Sequence, residues 1–181
     1  MLKSVFAACL LFLSAASAHA QLYSTADGEI SFHSHTFLED IDATNKKVSA
    51  VIDPASGKMA FSLAMKLFQF KRKLMQEHFN ENYVESDKFP SSTFSGSFTG
   101  NLNKDEEGVY PVTVKGHLTI HGVTRAVETP GTFTVKNGTI TGTASFKLNP
   151  ADYNIDIPFI VRDKIEKENT IEVNIEYKPK Q

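Results

Sequence analysis

Every second residue from Met59 to Leu67 is large and apolar (Met59, Phe61, Leu63, Met65, Leu67), while Ala60, Ser62, Ala64 and Lys66 take the positions between. This period-two alternation is that of a strand with one face buried. It recurs in four further stretches. Phe94, Gly96, Phe98, Gly100 and Leu102 share a face, as do Val112, Val114, Gly116, Leu118 and Ile120. So do Ile140, Gly142, Ala144, Phe146 and Leu148, and finally Ile171, Val173, Ile175 and Tyr177. Shorter or less regular β-branched and aromatic runs over residues 29–37, 46–52, 123–129 and 131–136 bring the expected total to eight or nine strands. Turn chemistry separates them. Asp53-Pro54-Ala55-Ser56-Gly57, His121-Gly122, Pro130-Gly131 and Asn137-Gly138 predict tight connections, hence antiparallel neighbours.

One segment changes period. Phe70, Leu74, Met75 and Phe79 fall at intervals of four, one and four, with Lys71, Arg72, Lys73, Gln76 and Glu77 on the other side. That stripe predicts one short helix over residues 70–80. A further turn of helix is expected over residues 149–153, where Pro150 suits a first helical position. Many short antiparallel strands, one helix and no alternating βα units predict an all-β barrel or sandwich. Gly96, Gly100, Gly116, Gly142 and Ala144 stand where core-facing side chains are expected. Small residues there permit sharp strand bends or leave empty volume, and both suit a closed barrel with a lumen.

The N-terminus is read separately from the fold. Lys3, the apolar run from Val5 to Ala16 and the small residues Ala18 and Ala20 predict a cleavable leader over residues 1–20. The apolar run is too short to span a bilayer as a helix, and no later segment is uniformly apolar. Cys9 lies too early in the leader to serve as a lipoprotein site, and Phe6 fits such a site poorly. Residues 21–181 then form a single domain, expected in the periplasm or outside the cell. Losing Lys3 with the leader leaves 18 basic residues against 21 acidic ones, a net charge of −3. With no basic stripe, nucleic acid is not an expected partner. No cysteine remains after cleavage, so stability must come from burial.

Candidate chemistry is sparse. His33 and His35, two apart on a strand, share a face and could supply two metal ligands, with His117 and His121 as further candidates. A polar outer strand face is the competing reading. His78 beside Glu77 could act in proton transfer, but adjacent helical residues point about 100° apart. With Asn80 and Asn82, His78 equally satisfies backbone groups at a helix end. There is no Gly-x-Ser-x-Gly, phosphate loop or dinucleotide fingerprint. The mixed-charge run Arg162 to Glu168, or Lys71, Arg72 and Lys73, could meet an anionic head group if placed at a barrel opening.

The stretch Gly116-His117-Leu118-Thr119-Ile120-His121-Gly122-Val123-Thr124 resembles the Leu-Thr-Ile-x-Gly-Val-Thr segment of the YceI-like proteins. Ser86-Asp87-Lys88-Phe89-Pro90 followed by Thr93-Phe94 is similar to that family's helix-to-strand corner. Tyr153-Asn154-Ile155 and Val161-Arg162-Asp163-Lys164-Ile165 are similar to its C-terminal part. The likeness runs over roughly residues 28–177, and the helix end Met75 to Tyr83 departs from the commoner pattern.

The resemblance implies an exported, antiparallel lipocalin-like barrel of about eight strands. Its apolar lumen would bind a long-chain isoprenoid, a quinone tail or a fatty amphiphile, with no catalytic residues and no cofactor beyond that lipid. Phe61, Leu63, Met65, Phe98, Val114, Leu118, Phe146, Leu148 and Val173 would then line the lumen. Phe70, Leu74, His78 and Phe79 would border its mouth. A ten-residue strand is ~33 Å long, enough to enclose an extended tail lengthwise, and each buried CH₂ contributes about 0.8 kcal/mol. Two other readings stay open: an envelope metal-dependent enzyme using His33 and His35, and a partner-binding scaffold with a filled barrel. A homodimer is the default assembly if edge strands are free.

Overall fold

The computed structural model describes residues 21–34, 40–157 and 167–180. Nine strands follow one another: β1 (Tyr23–Ser34), β2 (Ile41–Ile52), β3 (Lys58–Ala64), β4 (Gln69–Phe70), β5 (Ser91–Thr99), β6 (Gly108–Ile120), β7 (Val123–Lys136), β8 (Thr139–Leu148) and β9 (Asn169–Pro179). All pairings are antiparallel. The order β1-β9-β8-β7-β6-β5-β3-β2 closes through a β1–β2 ladder, so eight strands form a ring and the two-residue β4 adds to β2. The leader predicted over residues 1–20, His35 of the metal reading and Arg162 to Glu166 of the charged run lie outside the described residues.

Asn137-Gly138 and His121-Gly122 make the tightest connections, each with two consecutive positive φ angles, 50° and 73°, and 52° and 73°. Such a pair matches the right-handed twist of the flanking strands. The 53–57 turn is also present, with the Gly57 N–H donating to the Asp53 carbonyl at 2.8 Å, but one expected turn fails. Pro130-Gly131 is no turn, because β7 runs unbroken through it, with Pro130 opposite Thr113 and Gly131 opposite Val112. The β7–β8 ladder begins only at Gly131, so at Pro130 the strand has a single partner, the edge setting in which a residue without an N–H is tolerated.

The connection from β3 to β5 also departs from the pattern. Met65–Leu67 leaves the alternation as one 3₁₀ turn, and Phe70 pairs with Ala43 on β2. The helix, α1 (Lys73–His78), is therefore shorter than the apolar stripe predicts and widens into a π turn over Phe79–Tyr83. The turn expected near Pro150 is present, a 3₁₀ turn over Pro150–Tyr153 whose Asn149 side chain accepts the Ala151 N–H at 3.0 Å.

Because β1 ascends and β2 descends, one end of the barrel carries α1, the His121-Gly122 turn and the 3₁₀ turn; it is called the upper end here. The 53–57 and 137–138 turns close the lower end. Ring closure pairs β1 with β2, which removes the free edge strands that the homodimer expectation rested on.

Candidate functional site

The two halves of the lumen are filled differently. In the lower half, Phe98 packs edge-on against Phe133 with centroids 4.8 Å apart, and Phe133 meets Tyr177 at 6.4 Å. Ile52 and Ile140, both fully buried, complete this plug with Ile175. In the upper half the inward side chains stop short of one another and leave a cavity of about 380 Å³. That volume lies near the lower bound of sites for drug-sized ligands, roughly 300–1,000 Å³.

Strand alternation delivers the cavity wall. Phe61 and Leu63 come from β3, Met65 from the 3₁₀ turn after it, Leu118 from β6, Phe146 and Leu148 from β8, and Val173 from β9. The rim is aromatic. Phe32 stacks on Phe79 at 5.6 Å and meets Phe68 and Phe70 edge-on at 5.7 and 5.8 Å, while Phe70 and Phe79 are 5.0 Å apart. These rings pin the α1 segment to β1. His78, at the end of α1, is exposed and borders the same cavity.

Three expected positions fall elsewhere. Phe98 belongs to the lower plug, and Val114, paired with Phe98 across β5–β6, sits at the same low level outside the cavity wall. Leu74 is 54% exposed on the outer side of α1, because Phe70 and Phe79, not the helix centre, hold this segment down. The glycines do not line ligand space either. A Cβ on Gly96 or Gly116 would come within 2.8 and 2.6 Å of Phe94 Cζ, and one on Gly142 within 2.9 Å of Phe133 Cε1. The volume they release holds the protein's own rings.

Ile30, Phe32, Phe68, Ile155 and Ile171 also line the cavity without having been singled out. Three of these were visible in the alternation: Ile30 and Phe32 share a face of β1, and Ile171 is in phase with Val173. Phe68 and Ile155 lie in irregular segments where periodicity says nothing.

The histidines do not converge. His33 points outward from β1, with Nδ1 2.7 Å from Asp42 Oδ1 and Nε2 3.3 Å from Glu172 Oε2, so both ring nitrogens face carboxylates of neighbouring strands. His117 is exposed on the outer face of β6. His121 caps the upper end, its Nδ1 3.2 Å from the Tyr153 carbonyl and its Nε2 2.9 Å from Glu85 Oε2, with Phe89 edge-on at 4.2 Å. Among the described residues no group of three or more His, Cys, Asp or Glu side chains is arranged to hold a metal ion. The helix lysines are also engaged, Lys71 with Asp42 at 3.1 Å and Lys73 with Glu77 at 3.7 Å. Among the described residues no helix is long and apolar enough to cross a membrane.

The His33–Asp42 pair has a pH signature. The hydrogen bond to Asp42 raises the His33 pKa, and the same bond, with help from Lys71, lowers that of Asp42. The His33 contribution is complete below its unfolded value of about 6.5 and fades as pH rises through the raised folded value. The Asp42 contribution is complete above about 3.9 and fades as pH falls through its lowered folded value. Stability from this pair therefore peaks at mildly acidic pH, by an amount kept small by solvent. Thermal melts at pH 6 and pH 8.5 should show a smaller difference for His33→Gln than for the unsubstituted protein; equal differences would remove His33 from the account.

The likeness to known proteins follows the same outline. The YceI-like domain matches residues 14–177 of this chain. The solved structure of BcnA from Burkholderia cenocepacia superposes with a TM-score of 0.71 at 19% identity, covering 83% of this chain and 96% of that one. A polyisoprenoid-binding domain from Saccharophagus degradans, implicated in plant cell wall breakdown, superposes at 0.76 with 12% identity, covering 88% and 98%. The YceI protein of Campylobacter jejuni superposes at 0.55 with 20% identity, covering 76% and 83%. No curated protein sequence matches the chain. With a domain match that spans nearly all of the barrel, in a closed eight-stranded antiparallel fold shared with these structures, the chain belongs to the YceI-like domain family.

Proposed function

We propose that this protein is an exported binding protein, not an enzyme, that holds one long-chain isoprenoid or a similar single-tailed amphiphile, such as a quinone tail, in the upper half of its barrel. The observation that carries this reading is the cavity of about 380 Å³, walled by Phe61, Leu63, Met65, Leu118, Phe146 and Leu148 with no lysine or arginine among its described lining residues. Apolar walls exposed to water over a space of that size gain free energy when something apolar covers them. The polyisoprenoid-binding domain of Saccharophagus degradans, which shares the fold, supports the ligand class. The leader-like sequence of residues 1–20 supports export.

The division of the lumen changes how a tail fits. Only about half of the ~33 Å of a ten-residue strand is open, so a few isoprene units occupy the barrel and a longer tail folds back or leaves by the rim. Met65 and Met75, both at the cavity, have the deformable side chains suited to such an irregular chain. The test is organic extraction of protein purified mildly from its native envelope, followed by mass spectrometry. About one equivalent of an isoprenoid or quinone is expected. A clean extract, with no uptake on later incubation with such lipids, would overturn the reading and leave a scaffold.

A further inference from the structure

Two polar groups in the largely apolar cavity wall have nothing to bind among the described residues. Ser34, 3% exposed, has a buried Oγ with no hydrogen-bond partner among the described residues, and the same holds for the buried Oδ1 of Asn169. Both residues line the cavity. The β1–β9 register pairs Phe32 with Ile171 and ends at His33 with Thr170; continued by one residue, it would set Ser34 beside Asn169. Their neighbours Phe32 and Ile171 line the same cavity, which places the two polar groups on the inward face of adjacent strands.

Two other buried polar side chains near the lumen are satisfied. Ser92, also in the wall, donates to the Thr119 carbonyl at 2.9 Å. Asn45, fully buried, donates to the Ala64 carbonyl at 2.9 Å and accepts from the Lys47 N–H at 2.9 Å. Asn80 Oδ1, the remaining unpartnered buried atom, lies in the π turn, where its own amide already donates to the Gln76 carbonyl. A folded protein pairs nearly all of its buried polar groups, so two unpaired ones on neighbouring strands of one cavity wall mark a place kept for an outside partner.

The chemistry of the pair defines that partner. A serine hydroxyl can donate and the Asn169 amide oxygen can only accept, so one group that both accepts and donates completes both. A hydroxyl does this. A carboxylate or a fully ionised phosphate has no proton to give Asn169 and would enter a wall with no lysine or arginine among its described residues, where an unpaired charge is costly to bury. His78 and Tyr83 are the titratable side chains among the described lining residues, and His78 stands at the exposed rim.

We infer that Ser34 and Asn169 form a polar subsite that holds the neutral hydroxyl end of a single-tailed lipid alcohol inside the upper cavity, selecting it over the corresponding hydrocarbon and over the anionic phosphate. This rests on the lipid-binding reading proposed above. The tail then runs along Phe61, Phe146 and Leu148, and an anionic head group is left to the solvent side of the rim.

Four probes of one tail length test it by calorimetry on the delipidated full domain: farnesol, its methyl ether, the hydrocarbon farnesene and farnesyl phosphate. Farnesol should bind about tenfold more tightly than the ether, which accepts but cannot donate, and more tightly than farnesene or the phosphate by at least that factor. In Ser34→Ala and Asn169→Leu the preference of farnesol over farnesene should fall to within about twofold, while farnesene affinity is kept. The ligand-free Ser34→Ala protein should melt no lower than the parent, since an unpaired group has been removed. Equal binding of farnesol and farnesene by the unsubstituted protein would overturn the subsite and leave lipid binding standing. Binding of none of the four would overturn the lipid-binding reading and the subsite with it.

Discussion

Phe146→Glu is expected to lower affinity for an isoprenoid at least about 100-fold while the barrel still folds. The ring of Phe146 stands in the cavity wall on β8, opposite Ile171 of β9, and is only half-buried in the empty protein. A glutamate there meets water while the cavity is vacant, so the free protein loses little beyond the packing of one half-buried ring. When a tail enters, the carboxylate must be stripped of water against hydrocarbon with no lysine or arginine among the described residues of the wall. That penalty is several kcal/mol, and about 2.7 kcal/mol already corresponds to a hundredfold loss. Phe98→Glu should behave in the opposite way. Phe98 is buried against Phe133 in the lower plug, with no cavity to admit water, so the charge falls on folding and not on binding. Thermal melts and lipid uptake on both variants separate the two halves of the lumen. Unchanged uptake by Phe146→Glu would place the ligand outside the upper cavity.

Phe98 and Phe146 are indistinguishable in the sequence, and the reason limits what the pattern can say. Alternation fixes which face of a strand points inward, and it does so correctly for β3, β5, β6, β8 and β9. It carries no information on height along the barrel, nor on which inward side chain reaches across to another. Whether Phe98 plugs the lumen depends on Phe133, some 35 positions later and two strands away around the ring, and on Gly142 having no side chain in the ring's path. The glycines show the same limit: their spacing announces vacant volume but not that Phe94 and Phe133 occupy it. Local turn chemistry was legible at Asn137-Gly138 and His121-Gly122, because a left-handed residue pair is dictated by the hairpin itself. It misled at Pro130-Gly131, where a missing second strand partner removes the objection to proline. The helix was legible in kind but not in length, since the long-range pairing of Phe70 with Ala43 outweighs the local stripe. Ser34 was in phase with Ile30 and Phe32, yet a serine at a strand end reads as the approach of a loop.

Phe133→Ala should cost about 3–5 kcal/mol, toward the upper end of large-to-small core substitutions, and should lengthen the ligand the barrel accepts. Such costs are smallest where neighbours can collapse into the space. Here they cannot: one side of the Phe133 ring covers Gly142, which has no side chain to move, and the surrounding strands are fixed by the closed ladder. The vacated volume adjoins Phe98 and Tyr177 and deepens the lumen below the present cavity floor. Adding Gly142→Val should return part of the stability, because a Cβ at Gly142 points at the atom removed, Phe133 Cε1, 2.9 Å away. Alone, Gly142→Val collides with that ring and with Tyr177, at 3.2 Å, and destabilises by about 1–3 kcal/mol. The double variant should therefore be more stable than the sum of the singles by more than about 1 kcal/mol, read as urea midpoints at unchanged slope. Additive losses would mean that Phe133 and Gly142 do not share a volume. Chain-length preference gives the second readout. If the plug sets the floor, Phe133→Ala gains affinity for tails longer than farnesol while the double variant returns toward the parent, and a preference that ignores position 133 would place the floor elsewhere.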